Sequence, residues 1–504
     1  MEQAGQRRRS RETKTHLSDI PEGETAACDD TSRPSSIETI RTPPTHARPK
    51  HSSRSSFSSL RRSKALLRTG GNCGFVPPRF VVDLSVGPEH RYHHIVDQVL
   101  PAGSRAGLEG IFQDLCGRGL VAAGIQGLSK RMLTRVYTDE ETAELRGIAR
   151  QAAIPMYLLV AFNVLLDLLM GCTSGGVRFE DSDGPGSFDA TSSGDDCWTG
   201  SEHDAPPPLP PLKRTSRIVH FRTLDWGMDL LRHLIVELDY VREAGGPVIA
   251  TTVGYLGYVG VLTGVRPGLS MSLNFRPHHD KSTKAKRLGF RWQQLMVILG
   301  RRPSISSLLR HYLLCRPGET LRRGASRPTS SHGAGVSDQD QAPLSAQHVR
   351  DMLTELSASP STAAYLIFCT AQRVYVLEKD HGTAAVRSDA AFLTACNHDA
   401  ADEAHPRWLQ QAVRHLEETG AASCIAELCL DSLGRKRAAQ SLLAGIWLRR
   451  QARLQRLCAG VGLEDVMRLV GDRSISNPQT HYAVVMDPES GGLLWRRAYE
   501  VGDL

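Results

Sequence analysis

Residues 163–176 read NVLLDLLMGCTSGG, and the step Gly171-Cys172-Thr173-Ser174 inside them determines how the rest of the chain is interpreted. An apolar pattern with helical spacing precedes this step, and small, turn-prone residues follow it. A thiol at the junction between a buried helix and a turn is suited to act as a nucleophile. The sequence therefore makes Cys172 the first candidate for chemistry.

The composition indicates a globular protein with a basic tail. The chain has 504 residues, of which 40% are hydrophobic, and this is enough for a sizeable core. Its formal net charge of +7 is carried mostly by the first seventy residues and a few Arg-rich helices. Charge distributed in this way is typical of a solvated tail, so no nucleic-acid partner is expected.

The cysteines and the start of the chain favour a reducing compartment. The 11 cysteines are irregularly spaced, no Asn-x-Ser/Thr acceptor site occurs, and the opening MEQAGQRRRSRETK has no apolar region. These features leave the compartment unknown but favour an intracellular, cytoplasmic setting over a lysosomal or secreted one.

One run, residues 152–171, is long enough to span a membrane. It contains Asn163 and Asp167, and a charge at the middle of a bilayer costs about 2.5–3.5 kcal/mol or more. We therefore expect a buried amphipathic helix that leads to Cys172, entered through a cap at Thr138.

Composition also divides the chain. Residues 1–72 form a basic, Ser/Arg-rich segment that is expected to be disordered, because it has too few apolar residues to offset the entropy of ordering. Residues 73–171 are mostly helical in pattern, and residues 172–504 are expected to form the catalytic domain. Low-complexity insertions are predicted at 181–214, which contains APPPLPP, and at 317–343.

The order of helical and strand patterns predicts the fold class. Runs of short β-branched strands, for example within residues 247–277, are segregated from amphipathic helices. Such segregation indicates a layered α+β fold and not alternating βαβ units.

The sequence gives no support for a nucleotide-binding enzyme, because neither of the phosphate-binding glycine patterns, G-x-x-x-x-G-K-[ST] and G-x-G-x-x-G, occurs in it. The histidines His90, His93 and His94 have a spacing that a metal could use, but no matching Cys or acidic partner lies nearby, and no metal or cofactor is expected.

Arg222 and Asp225, in the segment FRTLDWG, are the candidates to assist Cys172. They lie three apart at a predicted strand end, where a turn could aim both at one point. A cation would lower the thiol pKa, and a carboxylate could hold an α-amine freed by cleavage before Cys172. The alternatives are a buried structural cysteine and a surface ion pair.

From residue 76 onward, apart from the insertions, the chain resembles the acid ceramidase and N-acylethanolamine-hydrolysing acid amidase family of N-terminal-nucleophile hydrolases. The segments that carry the resemblance are PPRFVVDLSVGPEHRY, NVLLDLLMGCTS, FRTLDWG, YVGVLTGVRPGLSMSLNFR, TACNHD and DSLGRKRAAQSLL. They occur in the family's order, which makes a chance match unexpected.

The resemblance implies an αββα sandwich made as one precursor and cut autocatalytically between Gly171 and Cys172. Cys172 would act as nucleophile and, through its α-amine, as general base, with support from Arg222 and Asp225. Asn397 would donate to the oxyanion, and Arg435 would hold the charges of the site.

The implied reaction is hydrolysis of a lipid amide, with ceramide as the first substrate and N-acylethanolamine as the second. The processed subunits would remain associated, and an apolar rim would make transient contact with a membrane.

The chain differs from the family pattern at two places, and two other functions remain as alternatives. Where family members often have Asn-Glu-Arg, this chain has Asn274-Phe275-Arg276, and Arg222 lies fifty positions after Cys172 because of the acidic insertion. An inactive scaffold that binds lipid or a partner is one alternative. A papain-like protease that uses His398 is the other, although no CG-[SA]-C-[WY] pattern surrounds Cys172.

Overall fold

The structure is a computed structural model, and it describes residues 74–100, 127, 130–165, 171–180, 216–277, 279–316, 342–404, 423–454 and 461–504. Residues 73–504 form one compact unit. The predictions for the tail at 1–72, and for most of both insertions, therefore lie outside the described residues. The same holds for Asp167.

Two β-sheets form the centre of the described chain. Their strands, in chain order, are β1 (Arg79–Asp83), β2 (Gly171–Glu180), β3 (Ser216–Asp225), β4 (Ile235–Val241), β5 (Val248–Tyr255), β6 (Thr263–Arg266), β7 (Leu269–Phe275), β8 (Ala364–Cys369), β9 (Val374–Asp380), β10 (Thr383–Asp389), β11 (Phe392–Ala395), β12 (Thr480–Asp487) and β13 (Gly492–Ala498). The larger sheet has the order β1-β4-β5-β6-β7-β8-β9-β10, and the smaller has the order β11-β2-β3-β12-β13. Neighbouring strands are antiparallel except β1 and β4, which are parallel.

Helices cover the outer faces of both sheets. The described helices are α1 (His93–Val99), α2 (Asp139–Gln151), α3 (Met156–Leu165), α4 (Lys284–Ile298), α5 (Ile305–Leu314), α6 (Ala346–Ala358), α7 (Ser423–Leu454) and α8 (Leu463–Gly471). Leu443 of α7 and Leu469 of α8 are buried in one cluster with Phe221 and Val485 of the smaller sheet. Helices α5 and α6 share the large core cluster with β7. The protein is therefore an α+β fold with αββα layers, as predicted.

Strand β7 shows why a polar site can lie at the centre of this sandwich. Leu269, Met271 and Leu273 alternate with Ser270, Ser272 and Asn274, so the apolar and polar sets lie on opposite faces. The polar face meets the smaller sheet, where Ser270 and Ser272 hydrogen-bond the two ring nitrogens of His220 at 3.0 and 2.9 Å. The space between the sheets is thus polar where β2, β3 and β7 meet.

The long helix predicted to lead to Cys172 is wrong in its extent. It is divided into α2, which begins after the predicted Thr138 cap, and α3. The break lies at residues 152–155, where Ala153 has a φ of 52° and Pro155 lacks the N–H that a continuous helix needs. No helix among the described residues combines the length and hydrophobicity of a membrane span.

The turn predicted at Gly171-Cys172-Thr173-Ser174 is also wrong. These residues begin strand β2, which pairs with β3 along its whole length. The next residue, Gly175, shows how crowded this strand is between its two neighbours, because a Cβ there would lie 2.4 Å from the Leu393 carbonyl oxygen. Strand β4, which the sequence analysis did not predict, is buried along its whole length and pairs with both β1 and β5.

Candidate active site

The pairing of β2 with β3 places Arg222 beside the thiol of Cys172. Cys172 lies opposite Leu224, so Arg222 is its diagonal neighbour on the same face. Nη2 of Arg222 lies 3.3 Å from Sγ of Cys172, and Nη1 donates to the Leu273 carbonyl oxygen at 2.8 Å. Both side chains are fully buried. A guanidinium held in this way stabilises a thiolate more than a thiol.

Asn397 reaches the other side of Cys172 from the end of β11. Its Oδ1 accepts the backbone N–H of Cys172 at 2.9 Å and a guanidinium N–H of Arg435 at 3.0 Å. Its Nδ2 donates to the Phe275 carbonyl oxygen at 2.8 Å. The amide orientation follows from these partners, because both donors require the oxygen and the carbonyl requires the nitrogen.

Arg435, on α7, joins the remaining groups of the cluster. Its Nη1 donates to Thr173 Oγ1 at 2.9 Å and lies 3.3 Å from Asp225 Oδ2, while its Nε donates to Asp431 at 2.8 Å. The hydroxyl of Thr480 donates to the other oxygen of Asp225 at 2.6 Å. Asp225 is the last residue of β3, at the strand end where the sequence placed it, and it lies opposite a bulge in β12.

Burial dominates the ionisation of the site. It raises the pKa of the Cys172 thiol to about 11, helped by the charge of Asp225, although Arg222 and Arg435 act in the opposite direction. It also raises the pKa of Asp225 to about 6, against the stabilising effects of Arg435 and Thr480. With the pKa at this value, only about one Cys172 in 10⁴ is a thiolate at pH 7. A proton acceptor is therefore needed for the thiol to attack.

The structure brings together all five residues that the sequence analysis singled out: Cys172, Arg222, Asp225, Asn397 and Arg435. In the uncut chain the Asn397 amide nitrogen donates to Phe275, so its donation to an oxyanion stays a prediction. Among the residues that the structure describes, no group of three His, Cys, Asp or Glu side chains could hold a metal ion.

Asn274 belongs to the site, although the sequence analysis gave it no role. Its Oδ1 accepts from Ser174 Oγ at 2.8 Å and lies 3.3 Å from Arg222 Nη1, and its Nδ2 donates to the Ala395 carbonyl oxygen at 3.0 Å. It therefore links β2, β3, β7 and β11. The alternation of polar residues along β7 was a signal that could have identified it.

The chain is similar to the N-acylethanolamine-hydrolyzing acid amidase of Caenorhabditis elegans, with 29% identity over 155 residues that cover 29% of this chain and 34% of that protein. It is also similar to the acid ceramidase of Mus musculus, with 28% identity over 148 residues that cover 26% of this chain and 28% of that protein. No family model matches the chain. The chain therefore resembles the acid ceramidase and N-acylethanolamine-hydrolyzing acid amidase family.

The alignments with these members of the acid ceramidase family span about a third of the members' own length. The activity, substrates and partners of this chain are therefore proposals. Among solved structures, a Caenorhabditis elegans N-acylethanolamine-hydrolyzing acid amidase ortholog matches with a TM-score of 0.34 and 19% identity, covering 54% of this chain and 89% of that one.

Proposed function

We propose that the protein cuts itself between Gly171 and Cys172 and then hydrolyses the amide bond of N-acyl lipids. The observation that carries this proposal is the hydrogen bond between the Cys172 backbone nitrogen and Asn397, beside a thiol that contacts Arg222. Cleavage would turn that backbone nitrogen into an amine without moving it. One residue would then supply both the nucleophile and the base.

The self-cleavage step begins when Cys172 Sγ, after losing its proton, attacks the carbonyl carbon of Gly171. The C–N bond of the tetrahedral intermediate then breaks, and the proton that the thiol lost passes to the Cys172 nitrogen, which becomes the α-amine. Water hydrolyses the resulting thioester, which releases the Gly171 carboxylate and the free thiol. Both the attacking and the leaving atom belong to Cys172, and both already have polar partners.

Hydrolysis of the lipid repeats this chemistry on a second amide. The α-amine of Cys172 takes the thiol proton, the thiolate attacks the acyl carbon, and the protonated amine returns the proton to the leaving amine. Water, deprotonated by the same α-amine, then releases the fatty acid from the thioester. Arg222 stabilises the thiolate, and Arg435 and Asp225 hold the surrounding charges.

The names of the relatives support an N-acyl lipid as substrate, with ceramide tested first and N-acylethanolamine second. Helix α4 supports contact with a lipid surface. Leu288, Trp292 and Leu295 follow one face of this helix and are 71%, 53% and 37% exposed. Exposed cations at Lys284, Arg287 and Arg291 lie on the same helix. A basic helix with an apolar stripe is typical of binding to an anionic membrane.

The segment before the cut would remain bound to the rest of the protein. Arg310 donates two hydrogen bonds to the fully buried carboxylate of Glu144, at 2.6 and 2.7 Å, and Arg91 donates a third at 2.8 Å. Asn163 bonds the backbone of Gly257 and Val259, each at 2.8 Å. Strand β1 also forms an edge of the larger sheet. These contacts do not depend on the peptide bond before Cys172.

The experiment is to express the full chain and determine the internal N-termini by mass spectrometry. A fragment that begins at Cys172, together with fatty acid released from ceramide or N-acylethanolamine, is expected. Cys172→Ala should abolish both. Cys369→Ala, which removes another fully buried thiol, should abolish neither. An intact chain that releases no fatty acid at any pH from 4 to 8 would rule the proposal out, and lipid binding unaffected by Cys172→Ala would select a scaffold.

A further inference from the structure

Asn397 is also held through its own backbone. Its N–H donates to Ser432 Oγ at 2.6 Å, and the same hydroxyl lies 2.7 Å from Nδ1 of the next residue, His398. Since Ser432 Oγ already accepts from Asn397, its hydroxyl proton is best directed at His398. Nδ1 is then the acceptor, and the ring proton is on Nε2. All three residues are buried.

The far side of the His398 ring faces a carboxylate. Nε2 of His398 lies 3.7 Å from Oε1 of Glu403, which also pairs with the ammonium of Lys436. Burial raises the pKa of Glu403, but its contacts with His398 and Lys436 outweigh this effect and lower the pKa to about 2. Glu403 is therefore a carboxylate near neutral pH, and it favours the tautomer with the proton on Nε2.

One face of helix α7 supplies most of these contacts. Ser432, Arg435 and Lys436 lie three and four positions apart, so they project on the same side. Ser432 binds the backbone of Asn397, and Arg435 binds its side-chain oxygen. Asn397 is thus held at both ends from a single helix. The angle at which its carboxamide meets the Cys172 nitrogen depends on both contacts.

Ser432, His398 and Glu403 have the composition of a Ser-His-Glu triad, but their arrangement does not suit a second nucleophile. The hydroxyl of Ser432 is fully buried and already accepts from the Asn397 backbone. The Glu403 oxygen is 3.7 Å from His398, which is too far for a hydrogen bond. The chain therefore places these groups behind Asn397, where they can act only through it.

We infer that Ser432 and His398 are positioning residues that set the orientation of the Asn397 carboxamide against the nitrogen of Cys172. This inference rests on the proposed function, because it assigns their effect to self-cleavage and amide hydrolysis. Their loss should lower kcat and the cleavage rate and leave KM unchanged, because neither residue touches the substrate. One neutral hydrogen bond contributes about 1 kcal/mol, so the expected fall is about five- to tenfold.

The test compares substitutions that differ in one acceptor atom. His398→Asn places an oxygen near the position of Nδ1 and can still accept from Ser432, whereas His398→Gln places a carbon there. Ser432→Ala removes the hydroxyl itself. The rate of appearance of the fragment beginning at Cys172, and kcat and KM for release of fatty acid, are measured for each. Thermal unfolding of each variant in a Cys172→Ala background gives the folded fraction.

Slower cleavage and a lower kcat in Ser432→Ala and His398→Gln, with wild-type KM and recovery in His398→Asn, would support the inference. Rates equal to wild type in all three variants would overturn it and leave the proposed function intact. A rise in KM alone, equal losses in His398→Asn and His398→Gln, or a loss explained by the unfolded fraction would also overturn it. If the wild-type chain neither cuts itself nor releases fatty acid, the proposed function fails first.

Discussion

The backbone nitrogen of Cys172 lies 2.9 Å from Oδ1 of Asn397, and this contact joins two residues separated by 225 positions in sequence. It exists because β2 lies between β11 and β3. The pair Ala395 and Ser174 is the last of the β2–β11 register, and two further residues on each strand bring Asn397 to Cys172. Asn397 is thus already in place to accept from the α-amine that the proposed self-cleavage would form.

Substitution Asn397→Ala should slow self-cleavage by about 10- to 100-fold. It leaves the Cys172 N–H and one Arg435 N–H buried without their acceptor, and each such loss costs about 1–3 kcal/mol. The rate at which the fragment beginning at Cys172 appears measures the effect. Cleavage at the wild-type rate would show that this contact has no part in the reaction.

Arg222→Met should reduce cleavage and amide hydrolysis by about tenfold or more, because a charge-assisted hydrogen bond contributes about 1.5–3 kcal/mol. The substitution removes the cation from the thiol and the guanidinium donor from the Leu273 carbonyl oxygen. Arg178→Met is the matched control, since Arg178 lies on the same hairpin but bonds the Ala390 carbonyl oxygen. Equal losses in both variants would contradict a specific role for Arg222.

The pKa of Asp225 predicts a pH dependence of stability. Its pKa is raised to about 6 in the folded chain, so between pH 4 and pH 6 the folded state keeps a proton that the unfolded state has lost. The free energy of unfolding should therefore fall as pH rises through this range, by about 3 kcal/mol from this group. Urea unfolding of Cys172→Ala, with and without Asp225→Asn, isolates the effect. A difference between the two that does not vary with pH would contradict it.

Glu144→Gln should lower the free energy of unfolding by about 3–5 kcal/mol, the usual cost of breaking a buried ion pair. Glu144 is fully buried against Arg310 and Arg91. Glu464→Gln removes an exposed pair with Arg468 and should cost about 1 kcal/mol or less. Chemical denaturation in the Cys172→Ala background compares the two. Equal effects would mean that the Glu144 cluster does not hold the segments together.

Trp292→Ser combined with Leu288→Ser should reduce binding to anionic vesicles about tenfold, since both side chains are more than half exposed on α4. Leu448→Ser, at a residue that is 66% exposed on α7, is the control and should have no effect. Cosedimentation with phosphatidylserine-containing vesicles is the measurement. Unchanged binding by the double variant would exclude α4 as the membrane surface.

The sequence predicted the strands around the site better than it predicted the structure of the segment that precedes Cys172. The short β-branched runs within residues 247–277 predicted strands where β5, β6 and β7 lie, and the Thr138 cap was correct, because both depend on local chemistry. The predicted helix before Cys172 was too long for two reasons. The helix breaks at Ala153 and Pro155, and residues 171–180 pair with β3, which is distant in sequence. Strand β4 was missed although Val236, Leu238 and Tyr240 alternate with Glu237 and Asp239, because acidic residues are uncommon in a strand that is buried along its whole length.

The contacts of Ser432 and His398 could not be predicted from the sequence either, because they also join residues that are distant in sequence. Their sequence neighbourhoods give no sign that a helix will place a hydroxyl under Asn397, because residues 432 and 397 meet only after α7 covers the smaller sheet. Cys172, Arg222 and Asp225 could be singled out because a thiol, a cation and a carboxylate are informative by residue type. A serine that binds a backbone N–H is not.

The hairpin of β2 and β3 has a practical consequence for the engineering of this protein. Gly171 pairs with Asp225 at one end and Glu180 pairs with Ser216 at the other, so the connection at 181–215 leaves and returns about 30 Å from the thiol. The number of residues there can change while the catalytic end keeps its register. An affinity tag or a fluorescent reporter inserted at this position would share no strand pairing with the reacting groups.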